Sequence, residues 1–240
     1  MNRAIIALSA VTICATAPAS AASFNIYGTG LASDGTLLAK GAVDPHYTTQ
    51  REDSVTTGTA SVINFAGVFP NAQFPGANPA DWDCNGTGIN CNWVANGPNS
   101  QWIGITGEEL GLPENIAVTF TTTFDLTGFD PASAIINGAW ATDDRGLEVK
   151  LNGVAVPGLT LLQNDNTVLD QLNPFSITTG FVQGVNTLQF TIKNLFVGGG
   201  FRTDLSGTAN VIPLPPAAYL FSGGLLALIS FGRRRQTRSL

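Results

Sequence analysis

Between Ile116 and Leu126, the apolar residues Ile116, Val118, Phe120, Phe124 and Leu126 all fall on even positions, and Thr or Asp fills most of the odd ones. Leu147, Val149 and Leu151 alternate with Glu148 and Lys150, and Leu188, Phe190 and Ile192 alternate with Thr187, Gln189, Thr191 and Lys193. A period of two with polar residues between predicts strands packed on one face. The abundance of Thr, Val and Phe agrees, because β-branched and aromatic side chains suit a pleated surface. Asn152-Gly153, Gly184 to Asn186 and Gly198 to Gly200 punctuate these runs as turns. Helical periodicity is nearly absent. Many short strands in a chain of this size predict an all-β fold, a two-sheet antiparallel sandwich.

The two ends break that pattern. Arg3, the apolar run Ala4 to Ala15 and the Ala19-Ser20-Ala21 site have the order of a signal peptide, predicted over 1–21. Cys14 lies in its apolar part, and Ile13 is too large for a lipoprotein box. At the other end, residues 211–240 run from the hinge Val211-Ile212-Pro213-Leu214-Pro215-Pro216 through the uncharged stretch Ala217 to Phe231 to Arg233-Arg234-Arg235. At about 1.5 Å per helical residue, a segment of about 214–232 approaches the length that crosses a bilayer. The arginines would stay on the cytoplasmic side, which places residues 22–210 outside the cytoplasm.

This tail resembles the PEP-CTERM sorting signal in its Val-Pro-Leu-Pro-Ala variant. The residues that carry the likeness are Ile212-Pro213-Leu214-Pro215-Pro216, Leu220-Phe221-Ser222-Gly223, Gly224-Leu225-Leu226 and Arg233-Arg234-Arg235. Leu214 stands where the commoner signal has Glu, and Pro216 where the variant has Ala. The signal peptide calls for export with removal of the leader by signal peptidase, and the resemblance implies an inner-membrane intermediate held by a C-terminal helix. It further implies cleavage by an exosortase and release to the cell surface or the medium. A permanent membrane anchor is the alternative. The body looks similar to the β-sandwich common in such proteins, a galactose-binding-like jelly roll. The likeness rests on Phe124 to Asp130, Gly138 to Asp144, Leu151 to Gly153, Gly184 to Phe190 and Phe201 to Leu205. Asp44-Pro45-His46-Tyr47 and Trp102-Ile103 fit it too. Domains of that kind bind glycans, bind calcium structurally, or do neither, and no catalytic residue carries over.

With both ends removed the charge balance shifts. All seventeen acidic residues lie between 24 and 210, against Lys40, Arg51, Arg145, Lys150, Lys193 and Arg202, a net charge of −11. Such a body repels phosphate backbones, so nucleic acid is not an expected partner. Cys84 and Cys91 are the cysteines left after export, and in an oxidising compartment a disulfide between them is expected, worth ~2–3 kcal/mol if unstrained. Asp81, Asp83, Asn85 and Gly86 begin like a calcium loop, with oxygen ligands on alternate residues and Gly at the turn. Asn92 stands where the bidentate Glu belongs, and a solvated, disulfide-pinned loop is the competing expectation. No other cofactor is called for. Asp143-Asp144 reads as a structural turn.

Enzymatic chemistry finds little footing. G-x-S-x-G is absent, a Ser-His-Asp arrangement would depend on His46 alone, and no acid among the seventeen stands in a glycosidase motif. His46 is expected as a half-buried hydrogen-bonding residue near a strand start. Trp102 and Trp140 are expected in the core. Trp82 and Trp93, in a stretch rich in Asn, Gly and Pro, are the candidates for stacking on sugar rings. The expectation is a non-enzymatic exported protein of the cell surface or matrix, associating with exopolysaccharide. The alternatives are a ligand-free structural surface protein and a polysaccharide-active enzyme.

Overall fold

The computed structural model describes residues 20–63, 93–162, 170–195 and 198–213. The chain divides into two compact units, Ala21–Asn210 and a second formed by Met1–Ser20 with Val211–Leu240. The first is all-β. In chain order its strands are β1 (Ala21–Phe24), β2 (Val43–Arg51), β3 (Thr57–Val62), β4 (Ile103–Ile105), β5 (Ala117–Asp125), β6 (Ile135–Asp143), β7 (Arg145–Leu151), β8 (Val154–Ala155), β9 (Asn173–Ile177), β10 (Val185–Lys193) and β11 (Gly200–Asn210). They hydrogen-bond in the order β8-β7-β10-β5-β2-β3-β4-β11-β6-β9, with β1 added on β11. Every one of these strand pairings is antiparallel. Among the described residues no helix is long and apolar enough to cross a membrane. The expected signal peptide and the expected spanning segment near 214–232 lie outside them.

The alternation seen in the sequence explains why the sheet folds over on itself. Val118, Phe120 and Phe124 of β5 and Leu188, Phe190 and Ile192 of β10 are buried on one face. That face meets side chains from strands far away in the sheet. Phe201 of β11 lies with its ring centroid 5.0 Å from Phe120 and 4.9 Å from Phe190. Trp140 of β6 and Phe175 of β9 approach Phe190 at 5.5 and 6.1 Å. Two layers therefore close over an aromatic spine, and offset or tilted ring pairs at these distances add attraction beyond the area they bury. Trp102 and Trp140 are core residues, as expected.

One stretch departs from the simple period. Opposite β10, Glu148 pairs with Thr191 but Gly146, not Leu147, pairs with Ile192. This bulge skips one residue, so the inward positions of β7 are Gly146, Val149 and Leu151, and Leu147 joins the opposite face. Glycine is required at the inward place, since a Cβ on Gly146 would lie 2.3 Å from the Trp140 ring. The alternation through Leu147 expected from the sequence is corrected here: the bulge that seats Trp140 turns Leu147 outward. Asn152-Gly153, both with positive φ, makes the predicted two-residue turn from β7 into β8.

Candidate functional site

The solvent face of β3, β2, β5, β10 and β7 carries the polar residues that alternate with the core. Backbone register lines them up in rows. One row crosses the strands as Thr57, Gln50, Thr119, Thr191 and Glu148. The next, two residues along, is Thr59, Thr48, Thr121, Gln189 and Lys150. With strands ~4.8 Å apart and ~3.4 Å per residue, each row spans roughly 19 Å and the rows lie about 7 Å apart. Neighbours within them already hydrogen-bond: Thr119 Oγ1 to Thr191 Oγ1 at 3.0 Å, and Gln189 Nε2 to Thr121 Oγ1 at 3.5 Å.

Part of this surface is a groove of about 690 Å³. Its floor is Gln50, Thr119, Thr191, Glu148 and Lys150, and one wall is the segment Ala155 to Thr160. That segment is tied along the edge of β7: the Val156 amide donates to the Val149 carbonyl at 2.8 Å, and Gly146 and Leu161 exchange bonds of 2.9 and 2.7 Å. The opposite wall is Arg51, Glu52 and Ala117. A cleft of this size falls in the range of small-ligand sites, but it has no aromatic lining residue, and its polar lining is spread along the strands.

The charges of the groove are internally matched. Lys150 Nζ lies 2.6 Å from Glu148 Oε2. Arg51 makes a two-pronged bond to Asp53, Nε to Oδ1 and Nη2 to Oδ2, each at 2.9 Å. That contact lowers the Asp53 carboxyl from its ordinary value. Glu52 Oε1 accepts the Ala117 amide at 2.8 Å. Gln50 is engaged as well, its Nε2 donating to the Arg51 and Ser54 carbonyls and its Oε1 accepting the Thr57 hydroxyl, so what stays open to a ligand is chiefly the hydroxyls of Thr119 and Thr191, each able to donate and accept.

The residues singled out by sequence are distributed differently. Cys84, Cys91, Trp82, Asp81, Asp83 and Asn85 lie outside the described residues, as do Leu214, Pro215, Pro216 and Arg233 to Arg235; Ile212 and Pro213 are exposed. Among the described residues no group of three or more His, Cys, Asp or Glu is placed to hold a metal. Trp93 requires a correction. It is only 2% exposed and packs against Trp102 with centroids 4.3 Å apart, so it offers no face for stacking on a sugar. Its indole Nε1 instead donates to Asp143 Oδ2 at 2.7 Å.

That bond belongs to a buried polar centre under the 93–102 segment. Asp143 is buried beside Asp144, whose Oδ2 accepts the Leu195 amide at 2.6 Å. Burial first, then the charge of Asp144 and the hydrogen bond the two carboxyls share, pushes Asp143 well above the usual carboxylate range, with the Trp93 indole opposing. Nearby, Arg202 of β11 is 3% exposed. Its Nε donates to Ser100 Oγ at 2.7 Å, and Nη1 donates to the Val94 and Ala95 carbonyls. These groups hold the segment in place. Asp143-Asp144 is thus structural, at the turn from β6 to β7 as expected. His46 is half-buried in β2, but its ring stacks on Tyr27 at 3.7 Å while Nε2 has no hydrogen-bond partner among the described residues.

No protein-family model matches the chain. None of the curated proteins matches it. Among solved structures, a GH26-CBM35 β-(1,4)-mannanase from Podospora anserina aligns at 16% identity with a TM-score of 0.28, covering 71% of this chain and 29% of that one. A GH31 α-xylosidase from Xanthomonas citri aligns at 9% identity with a TM-score of 0.24, covering 82% and 25%. The chain spans less than a third of either, and overlaps this small bear on neither its fold nor its activity.

Proposed function

We propose that the chain is an exported, non-enzymatic surface or matrix protein whose β-sandwich, of the galactose-binding-like jelly-roll kind, associates weakly with extended polysaccharide. The observation that carries this reading is the groove on the outer sheet face, floored by rows of threonine and glutamine. A sugar polymer presents repeated hydroxyls, and side chains that both donate and accept along a strand direction can meet them in register. Without an aromatic platform each sugar gains little stacking energy, so affinity is low and accumulates along the chain. Binding rather than turnover is favoured because the two groove carboxylates are already engaged, Glu148 with Lys150 and Glu52 with the Ala117 amide. Retardation in affinity electrophoresis through gels containing the host's own exopolysaccharide tests the reading. Migration identical with and without polymer would replace it with a ligand-free display role, and release of reducing ends would replace it with an enzyme.

The same reading includes sorting. Arg3, the apolar run Ala4 to Ala15 and the Ala19-Ser20-Ala21 site support cleavage by signal peptidase near Ala21 or Ala22, and the order of Pro motif, apolar stretch and arginines supports a second cut near Pro213 to Pro216 by an exosortase. Intact mass of the surface form, in a host that has such an enzyme, decides it. A species retaining Arg233 to Arg235 would favour a permanent anchor.

A further inference from the structure

We infer that the groove selects a neutral polysaccharide and rejects polymers of uronic or sulfated sugars, an inference that rests on polysaccharide association at this site. Recognition of a polyanion needs cations free to meet each carboxylate or sulfate. The groove contains two cationic side chains, Arg51 and Lys150, and both are committed. Lys150 stands 2.6 Å from Glu148 on its own strand, and Arg51 grips Asp53 through both Nε and Nη2 at 2.9 Å. Glu52 and Glu148, also lining the groove, bring its formal charge to zero before Asp53 is counted. The surrounding body, seventeen acids to six bases over residues 24–210, adds a repulsive field that salt only partly screens. Between the charged ends lie the hydroxyls of Thr119 and Thr191, uncharged groups that match the hydroxyls of a neutral sugar chain.

The experiment is affinity electrophoresis of the exported protein in gels cast with hydroxyethyl cellulose, with a galactomannan, or with alginate, at low and moderate salt. The expected result is retardation by at least one of the two neutral polymers, little changed by salt, and none by alginate. Replacing Thr119→Val and Thr191→Val together removes two hydroxyls while keeping strand-favouring side chains, and should weaken neutral retention by about fivefold. Glu148→Lys should create retention on alginate that salt abolishes. Retention of the unaltered protein on alginate but on neither neutral polymer would overturn the inference while leaving polysaccharide association standing. Neutral retention that the double valine variant leaves intact would overturn the assignment to this groove. Migration unaffected by all three polymers, and by the host's own, would remove the underlying reading as well.

Discussion

At the scale of single residues, the burial of a side chain decides what its substitution does. Trp93 looked like a surface aromatic because its neighbours are Asn, Gly and Pro, and local composition says nothing of what folds over a loop. In the structure it is core, so Trp93→Ala should cost about 3–5 kcal/mol in chemical denaturation, as large-to-small changes of buried aromatics do. A stability within 1 kcal/mol of the parent, about the effect of a surface change, would contradict its burial. Asp143 gives a second expectation, in pH. Its carboxyl holds a proton more tightly folded than unfolded. Its contribution is therefore complete below the unfolded value of about 3.9 and is lost as pH rises through the folded value. Asp44, 2% exposed and likewise raised by burial, adds a slope of the same sign despite the amide bonds from Gly30 and His46. Asp143→Asn keeps an acceptor for the Trp93 indole without an ionisable proton. Urea midpoints measured from pH 4 to 8 should then fall less steeply for the variant than for the parent, and parallel curves would refute the assignment.

Elements were legible in proportion to how strictly they alternate. β5 and β10 could be read nearly to the residue because each apolar position packs on one uninterrupted inner face. β7 misled at one place, since a bulge is a property of two paired strands and Leu147 looks like any other apolar residue in the row. The only local hint was Gly146, whose meaning depends on Trp140 standing above it. The groove was half legible: Thr119 and Thr191 stood out as part of the polar half of the pattern. Their alignment into rows, however, depends on register, which no single strand reveals. The segment 93–102 depends on Arg202, a cation in a strand whose partners lie about a hundred residues earlier. Arg202→Met would leave the Ala95 carbonyl without that donor, at about 1–3 kcal/mol, while the Val94 carbonyl keeps the Trp102 indole bond at 2.8 Å. Amide exchange should localise the effect. The Gly97 amide, bonded to the Ser100 carbonyl, and the Gln101 amide, bonded to the Thr29 carbonyl, should exchange faster while β5 and β10 stay protected. Uniform acceleration across the domain would show that the segment is no separate unit.

At the scale of the whole molecule, the expected cleavage at Ala21 or Ala22 meets the fold at its first strand. β1 pairs Ala21–Phe24 with Asn210 back to Gly207, so the beginning and end of the compact unit lie side by side. Phe24 fastens that edge. It is 5% exposed, stacks on Phe124 with centroids 5.2 Å apart, and fits only because position 207 is glycine, where a Cβ would come within 2.2 Å of its ring. A signal peptidase cut after residue 21 keeps Ser23 and Phe24 in the mature chain, whereas a cut only a few residues later would remove the strand. Position of cleavage is therefore a stability variable as well as a sorting one. A form of the chain beginning at Asn25 should unfold at lower urea than one beginning at Ala22. The expected deficit is about 3–5 kcal/mol, the cost of deleting a buried Phe from a packed core. The Ala22 form and one beginning at Ser20 should differ by only about 1 kcal/mol, because Ala21 and Ser20 contribute backbone pairing but no buried side chain. Equal midpoints for the Asn25 and Ala22 forms would mean that β1 adds nothing to the fold, and the placement of the mature N-terminus would then be free of structural constraint.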